Sequence, residues 1–141
     1  MIDERINDNL QRLNKYLVAL ISLKEKTLEE FINDDISVAA CERYFQLAIE
    51  SCLNIGNRIL SIEQFNKHVA APESYADIFM GLHRIGVIDD KLSISMVKMA
   101  KFRNMLVHIY WEIDHAELYK YLHENLNDFE LFVKSIVAYY K

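Results

Sequence analysis

The sequence predicts an all-α fold: a single-domain, up-and-down bundle of about five helices. The chain holds three glycines and one proline in 141 residues, too few turn residues for the many tight turns of an all-β fold. Apolar residues recur at spacings of three and four over long stretches, the period of a helix that buries one face. The breaks between those stretches carry helix-capping patterns. A chain of this length can bury one proper core and is too short for two, so residues 1–141 read as one domain.

The first helix is expected over Asp3 to Ile32, where Ile6, Leu10, Leu13, Leu17 and Leu20 make a core stripe. NDDIS, Asn33 to Ser37, is the first break, with Asp34 or Asp35 as N-cap. The second helix follows from Ile36 to Phe65, and Cys41, Phe45, Ala48, Cys52, Ile55 and Ile59 keep the spacing. Gly56 interrupts it, at about 1 kcal/mol relative to Ala; close packing of another backbone would account for it. A loop covers Lys67 to Pro72. Ser74-Tyr75-Ala76-Asp77 is a capping box that opens a short third helix, Tyr75 to Arg84, which stops at Gly86. Asp89 or Asp90 opens the fourth helix, which continues to His108 or Tyr110. Asp114-His115-Ala116-Glu117 is a second capping box, and the last helix carries Leu118, Leu122, Phe129, Phe132 and Ile136 toward the C-terminus.

Composition narrows the class. Apolar residues are 52% and charged residues 26%, ordinary for a globular protein in water. No run of about 18 apolar residues offers a transmembrane span. The start, MIDERINDNL, lacks a hydrophobic signal core, so a cytoplasmic protein with no membrane partner is expected. Cys41 and Cys52 stand three turns apart on one predicted helix, about 16 Å along its axis, too far for a disulfide. Both are expected as reduced core residues. The net charge of −5 argues against a broad basic nucleic-acid surface and leaves room for a small, locally basic cleft.

The fourth helix raises the functional question, because FRNMLVHIYW (Phe102 to Trp111) sets Arg, Asn and His in an apolar run. Polar groups removed from water are costly unless partnered. At about 100° per residue, Leu92, Met96, Met99, Leu106 and Tyr110 fall within about 60° of Arg103, so Arg103 belongs to the apolar stripe. Asn104 and His108 share a neighbouring sector one turn apart. In the plainest reading Arg103 pairs with a core carboxylate, and Asn104 and His108 are satisfied structural groups. In the chemical reading, an imidazole titrating near neutrality moves a proton. A guanidinium offers a fixed fork of donors to a phosphate, and the amide orients either one. One chain supplies one histidine to this set, and a symmetric dimer would double the inventory in one cleft.

Arg103-Asn104 followed by His108-x-Tyr110 makes the sequence resemble the HEPN superfamily, and within it the HepT-like toxins of HepT–MntA toxin–antitoxin pairs. Flanking matches run in order: Glu42-Arg43, Ile55-Gly56-Asn57, Pro72 with Ser74-Tyr75-x-Asp77-Ile78-Phe79, and Gly86-Val87-Ile88. The resemblance implies a homodimeric helical bundle with metal-independent ribonuclease activity on an RNA substrate. It makes Arg103 and His108 the catalytic residues of a cleft between protomers, supported by Asn104. It makes Tyr110 the residue to which an MntA-like nucleotidyltransferase antitoxin transfers AMP. The rival expectation is a non-catalytic helical module that docks such a nucleotidyltransferase.

Other signals are weaker. Arg43 and Asn57 lie near the apolar stripe of the second helix and are possible cleft-lining residues or interhelical hydrogen-bond partners. Glu112-x-x-His115 matches half of a di-iron site and has no second copy in the sequence. His68, His83 and His123 lack ligand spacing. No Gly-rich phosphate loop is present. Neither a metal nor a cofactor is expected.

Overall fold

A computed structural model describes residues 2–108 and 113–141. These form seven helices and no strand: α1 (Glu4–Leu23), α2 (Leu28–Ile32), α3 (Asp35–Lys67), α4 (Tyr75–Arg84), α5 (Asp90–His108), α6 (His115–Glu124) and α7 (Leu126–Tyr139). The all-helical class is as expected, and the count is seven rather than five. The first expected helix is two, because α1 ends at Leu23 and Thr27 caps a separate α2. The Thr27 hydroxyl accepts from the Glu30 amide while the Glu30 carboxylate accepts from the Thr27 amide. The Tyr119 hydroxyl donates to the Lys26 carbonyl at 2.6 Å, which ties the break to α6. The last expected helix is also two, broken at Asn125 between α6 and α7.

α3 is the spine, 33 residues and about 50 Å long. α1 runs antiparallel along it. The Asp3 carboxylate at its start meets the Arg58 guanidinium in two hydrogen bonds of 3.1 Å, and the Asn54 amide donates to Asn9. Phe45 of α3 centres an aromatic cluster with Phe102, Tyr121 and Phe129, so α5, α6 and α7 close over its buried face. Phe79 of α4 meets Phe132 of α7 edge-on at 5.9 Å. Cys41 and Cys52 are free and buried on α3, where burial pushes both thiols well above their usual range. No helix among the described residues is long and apolar enough to cross a membrane.

α4 and α5 form an antiparallel hairpin, and its turn has a physical cause. The Val87 amide reaches back to the Leu82 carbonyl and the Gly86 amide to the His83 carbonyl, a Schellman closure that requires the left-handed backbone of Gly86, φ +82°. Asp34 caps α3, and the Asp89 carboxylate accepts from the Leu92 amide at 2.8 Å. Half of the expected Ser74 box forms. The Ser74 hydroxyl accepts from the Asp77 amide, but the Asp77 carboxylate takes the Glu73 amide rather than that of Ser74. Asp114 likewise caps α6 through the Ala116 amide at 2.8 Å.

Gly56 differs from its expectation. A Cβ there would stand 2.5 Å from Ile78 Cγ2 and 3.1 Å from Leu82 Cδ1. What crowds it is a pair of α4 side chains, not a backbone. The missing methyl lets α4 seat its apolar edge against α3, which places the start of α4 beside the end of α5.

Candidate functional site

Past Ala100, Leu106 is the one residue of α5 still buried. Leu92, Ser93, Met96, Met99 and Ala100 are buried, whereas Asn104 and His108 are exposed. Arg103 stands between these states, with 15% of its side chain accessible. Three groups fix its guanidinium. Nη2 donates to Glu50 Oε2 of α3 at 3.3 Å, and Nη1 donates to Asn104 Oδ1 at 3.4 Å. The carbon Cζ lies 4.9 Å from the centroid of the Tyr75 ring, a cation–π stack. Gln46 holds Glu50 from the other side, its amide 3.4 Å from the carboxylate. The plainest expectation, an arginine paired with a carboxylate, therefore describes part of this site, although Glu50 sits at the edge of the core with 28% of its side chain accessible.

Asn104 and His108, one turn apart, line an open cleft of about 580 Å³ between α3, α4 and the end of α5. Leu53 and Ile78 give it apolar wall. Asn54 and Asn57 face in from α3, and Pro72, Glu73, Ser74 and Tyr75 form its edge where the chain enters α4. Arg103 lies behind this wall, joined to it through Asn104 and Tyr75. The cleft thus gathers one imidazole, three side-chain amides and an aromatic ring whose stacking partner is a fixed cation. Such a set can hold an anionic diester by neutral donors and by the neighbouring guanidinium, while the imidazole moves a proton.

Of the residues singled out in the sequence, Asn104, His108 and Asn57 meet in the cleft and Arg103 backs it. Arg43 does not join them: it is exposed on α3 and absent from the cleft wall. It shares the angular position of Glu50 but lies two turns away toward the start of the helix, about 10 Å along the axis. Tyr110 lies outside the described residues. Sequence reasoning missed Glu50, Asn54 and the stacking role of Tyr75. The first two follow the rule used for the core, since Glu50, Asn54 and Asn57 recur at spacings of four and three. They are a polar stripe on the same helix.

The family model of ribonuclease HepT-like proteins matches residues 6–136. A tRNA nuclease HepT of Aphanizomenon flos-aquae is 24% identical over 134 residues, covering 95% of this chain and 88% of that protein. An mRNA nuclease HepT of Shewanella oneidensis is 32% identical over 93 residues, 66% of this chain and 67% of that protein. Among solved structures, the tri-AMPylated Shewanella oneidensis HEPN toxin in complex with MNT antitoxin has the same fold. Its TM-score is 0.87 at 24% identity, covering 97% of this chain and 99% of that one. The chain, with its helical bundle and polar cleft at the end of α5, belongs to the ribonuclease HepT-like family.

Proposed function

We propose that the protein is the toxin of a toxin–antitoxin pair, a cytoplasmic, metal-independent ribonuclease whose site is the cleft at the end of α5. The observation that carries this reading is the meeting of His108 and Asn104 in one cleft, beside the guanidinium of Arg103 that Glu50 and Tyr75 hold in place. The relatives named as tRNA and mRNA nucleases supply the substrate class, RNA.

In this reading the 2′-hydroxyl of the RNA gives up its proton and its oxygen attacks the adjacent phosphorus. The bond from phosphorus to the 5′-oxygen breaks, the leaving oxygen takes a proton, and a 2′,3′-cyclic phosphate remains. His108 acts as the proton carrier. Arg103 offsets the charge that builds on the phosphoryl oxygens, and Asn104 holds the guanidinium and faces the cleft. A homodimer brings a second His108 to the same cleft, so that one imidazole accepts a proton while the other donates one.

The control step is AMP transfer to Tyr110 by a nucleotidyltransferase antitoxin, as the AMPylated relative bound to its MNT antitoxin suggests. The added phosphate brings bulk and negative charge two residues beyond His108, which disfavours a second phosphodiester there.

The test is RNA cleavage by purified, unmodified protein in excess chelator. His108→Ala should lower the rate by at least about 10²-fold with the melting temperature nearly unchanged. Arg103→Ala should lower it at least as much, beyond the stability lost with its Glu50 and Tyr75 contacts. Cleavage that survives both substitutions, or that stops when chelator is added, rejects this reading of the site. Coexpression with the nucleotidyltransferase should add AMP-sized mass increments that Tyr110→Phe removes.

The Glu50–Arg103 pair favours one rival, a docking module in which Arg103 only ties α5 to α3. That reading requires wild-type protein to bind the nucleotidyltransferase and leave RNA intact.

A further inference from the structure

A second depression opens from the cleft, between α1 and α3. It encloses about 410 Å³ and shares Asn54 and Asn57 with the cleft as a common wall. Every residue lining it is polar or charged. Arg5, Asn9 and Arg12 recur at spacings of four and three on α1, so they present one face, and Arg58 looks across from α3. Asp8 is the one acidic residue of the lining. Asp3, outside it, engages Arg58 in the two-pronged pair described above. Among the described residues neither Arg5 nor Arg12 forms an ion pair. In a chain of net charge −5, this is a local inversion of sign that adjoins the candidate site.

We propose that this groove is a backbone subsite for the RNA strand, in which Arg5 and Arg12 hold phosphates of nucleotides flanking the scissile bond. The proposal rests on the ribonuclease reading of the adjoining cleft. Guanidinium forks on Arg5 and Arg12, about 10 Å apart along α1, can reach phosphates one or two nucleotides apart on one strand. Asn57 and the side-chain oxygen of Asn54, whose amide is held by Asn9, offer neutral hydrogen-bonding groups to the sugars between them. Neither an aromatic face for a base nor an apolar centre for a protein partner lines the groove, and protein interfaces bury an apolar core depleted of charge. A surface of this composition selects a phosphodiester chain and reads little of its sequence.

The experiment uses the full-length protein and the Arg5→Ala/Arg12→Ala double variant. Single-stranded RNA long enough to span cleft and groove is bound across a salt series and followed by fluorescence anisotropy. A dinucleotide, too short to reach the groove, serves as a second cleavage substrate. The variant should bind the long strand about tenfold more weakly at low salt. Its plot of log affinity against log salt should be shallower by about 1.4, or about 0.7 for each lost phosphate contact. Dinucleotide cleavage and the melting temperature should match wild type. Unchanged affinity and slope for the long strand overturn the subsite, and so does a loss confined to nucleotidyltransferase binding. Wild-type protein that binds the strand in this groove-dependent way but cuts no RNA upholds the groove and rejects the nuclease reading, so the two failures are distinct.

Discussion

The two faces of α3 are built from one repeat and put to opposite uses. On one side Cys41, Phe45, Ala48, Ile49, Cys52, Ile55 and Ile59 have no accessible surface. About 180° around the helix, Gln46, Glu50, Asn54, Asn57 and Ser61 follow the same spacing of three and four. The first face makes the bundle cohere. The second fixes Arg103 through Glu50, walls the cleft with Asn54 and Asn57, and continues into the arginine groove. A helix inside a small bundle can therefore serve as core and as site scaffold at once, which lends the site the rigidity of the core. Substitutions on the two faces should separate stability from activity.

The largest stability effect should come from Phe45→Ala. It removes a fully buried ring that touches Phe102, Tyr121 and Phe129, and denaturant unfolding should show a loss of about 3–5 kcal/mol. A loss below about 1 kcal/mol would mean that the core collapses into the gap and that the apolar face is less exacting than described.

Gly56→Ala sits where the faces meet α4. The added methyl cannot fit 2.5 Å from Ile78 Cγ2 unless the Ile78 side chain or α4 shifts, so we expect about 1–3 kcal/mol of destabilisation despite the better helix propensity of Ala. Ile78 also lines the cleft, so the rate on RNA should fall further than stability accounts for. A variant more stable than wild type would show that the helices have slack here.

The smallest effect belongs to the ion pair at the polar edge. Arg58 first, then the Ile6 and Arg5 amides, hold the Asp3 carboxyl below its usual value of 3.8, and partial burial only partly opposes them. A lowered folded value means that the charged form stabilises the fold. That contribution is complete above the usual aspartate range and fades as pH falls through the lowered value. Asp3→Asn should therefore melt below wild type at neutral pH and approach it in strong acid. A gap that widens on acidification would contradict the assignment.

The helices themselves were largely legible. Both limits of α4 agree with the expected Tyr75 and Arg84, and the apolar stripe of the first helix is buried at Ile6, Leu13, Leu17 and Leu20. The break after Leu23 was not, because Lys24, Glu25 and Lys26 are all good helix formers. Its cause is a capping box at Thr27 and Glu30 together with the distant Tyr119 hydroxyl. The angular position of Arg103 among buried residues also followed from periodicity. Its partner did not, since Glu50 lies 53 positions away and only packing of α5 on α3 brings them together. Arg5 and Arg12 were not singled out in the sequence, because the wall that faces them comes from α3, about 45 positions away.

The Schellman turn at Gly86 gives the α4–α5 hairpin the mechanics of tweezers. Its closed end is pinned by two backbone hydrogen bonds and a left-handed glycine. Its open end carries Tyr75 on one arm and Arg103, Asn104 and His108 on the other. From Asp90 to Arg103 the second arm is about 20 Å long, so a change of about 5° at the turn displaces its tip by about 1.7 Å. Misplacement of reacting groups by about 1 Å can lower a rate 10²-fold. The jaw spacing of this cleft thus depends on the far end of the hairpin, at a residue that touches nothing in it, as well as on the contacts that hold its open end.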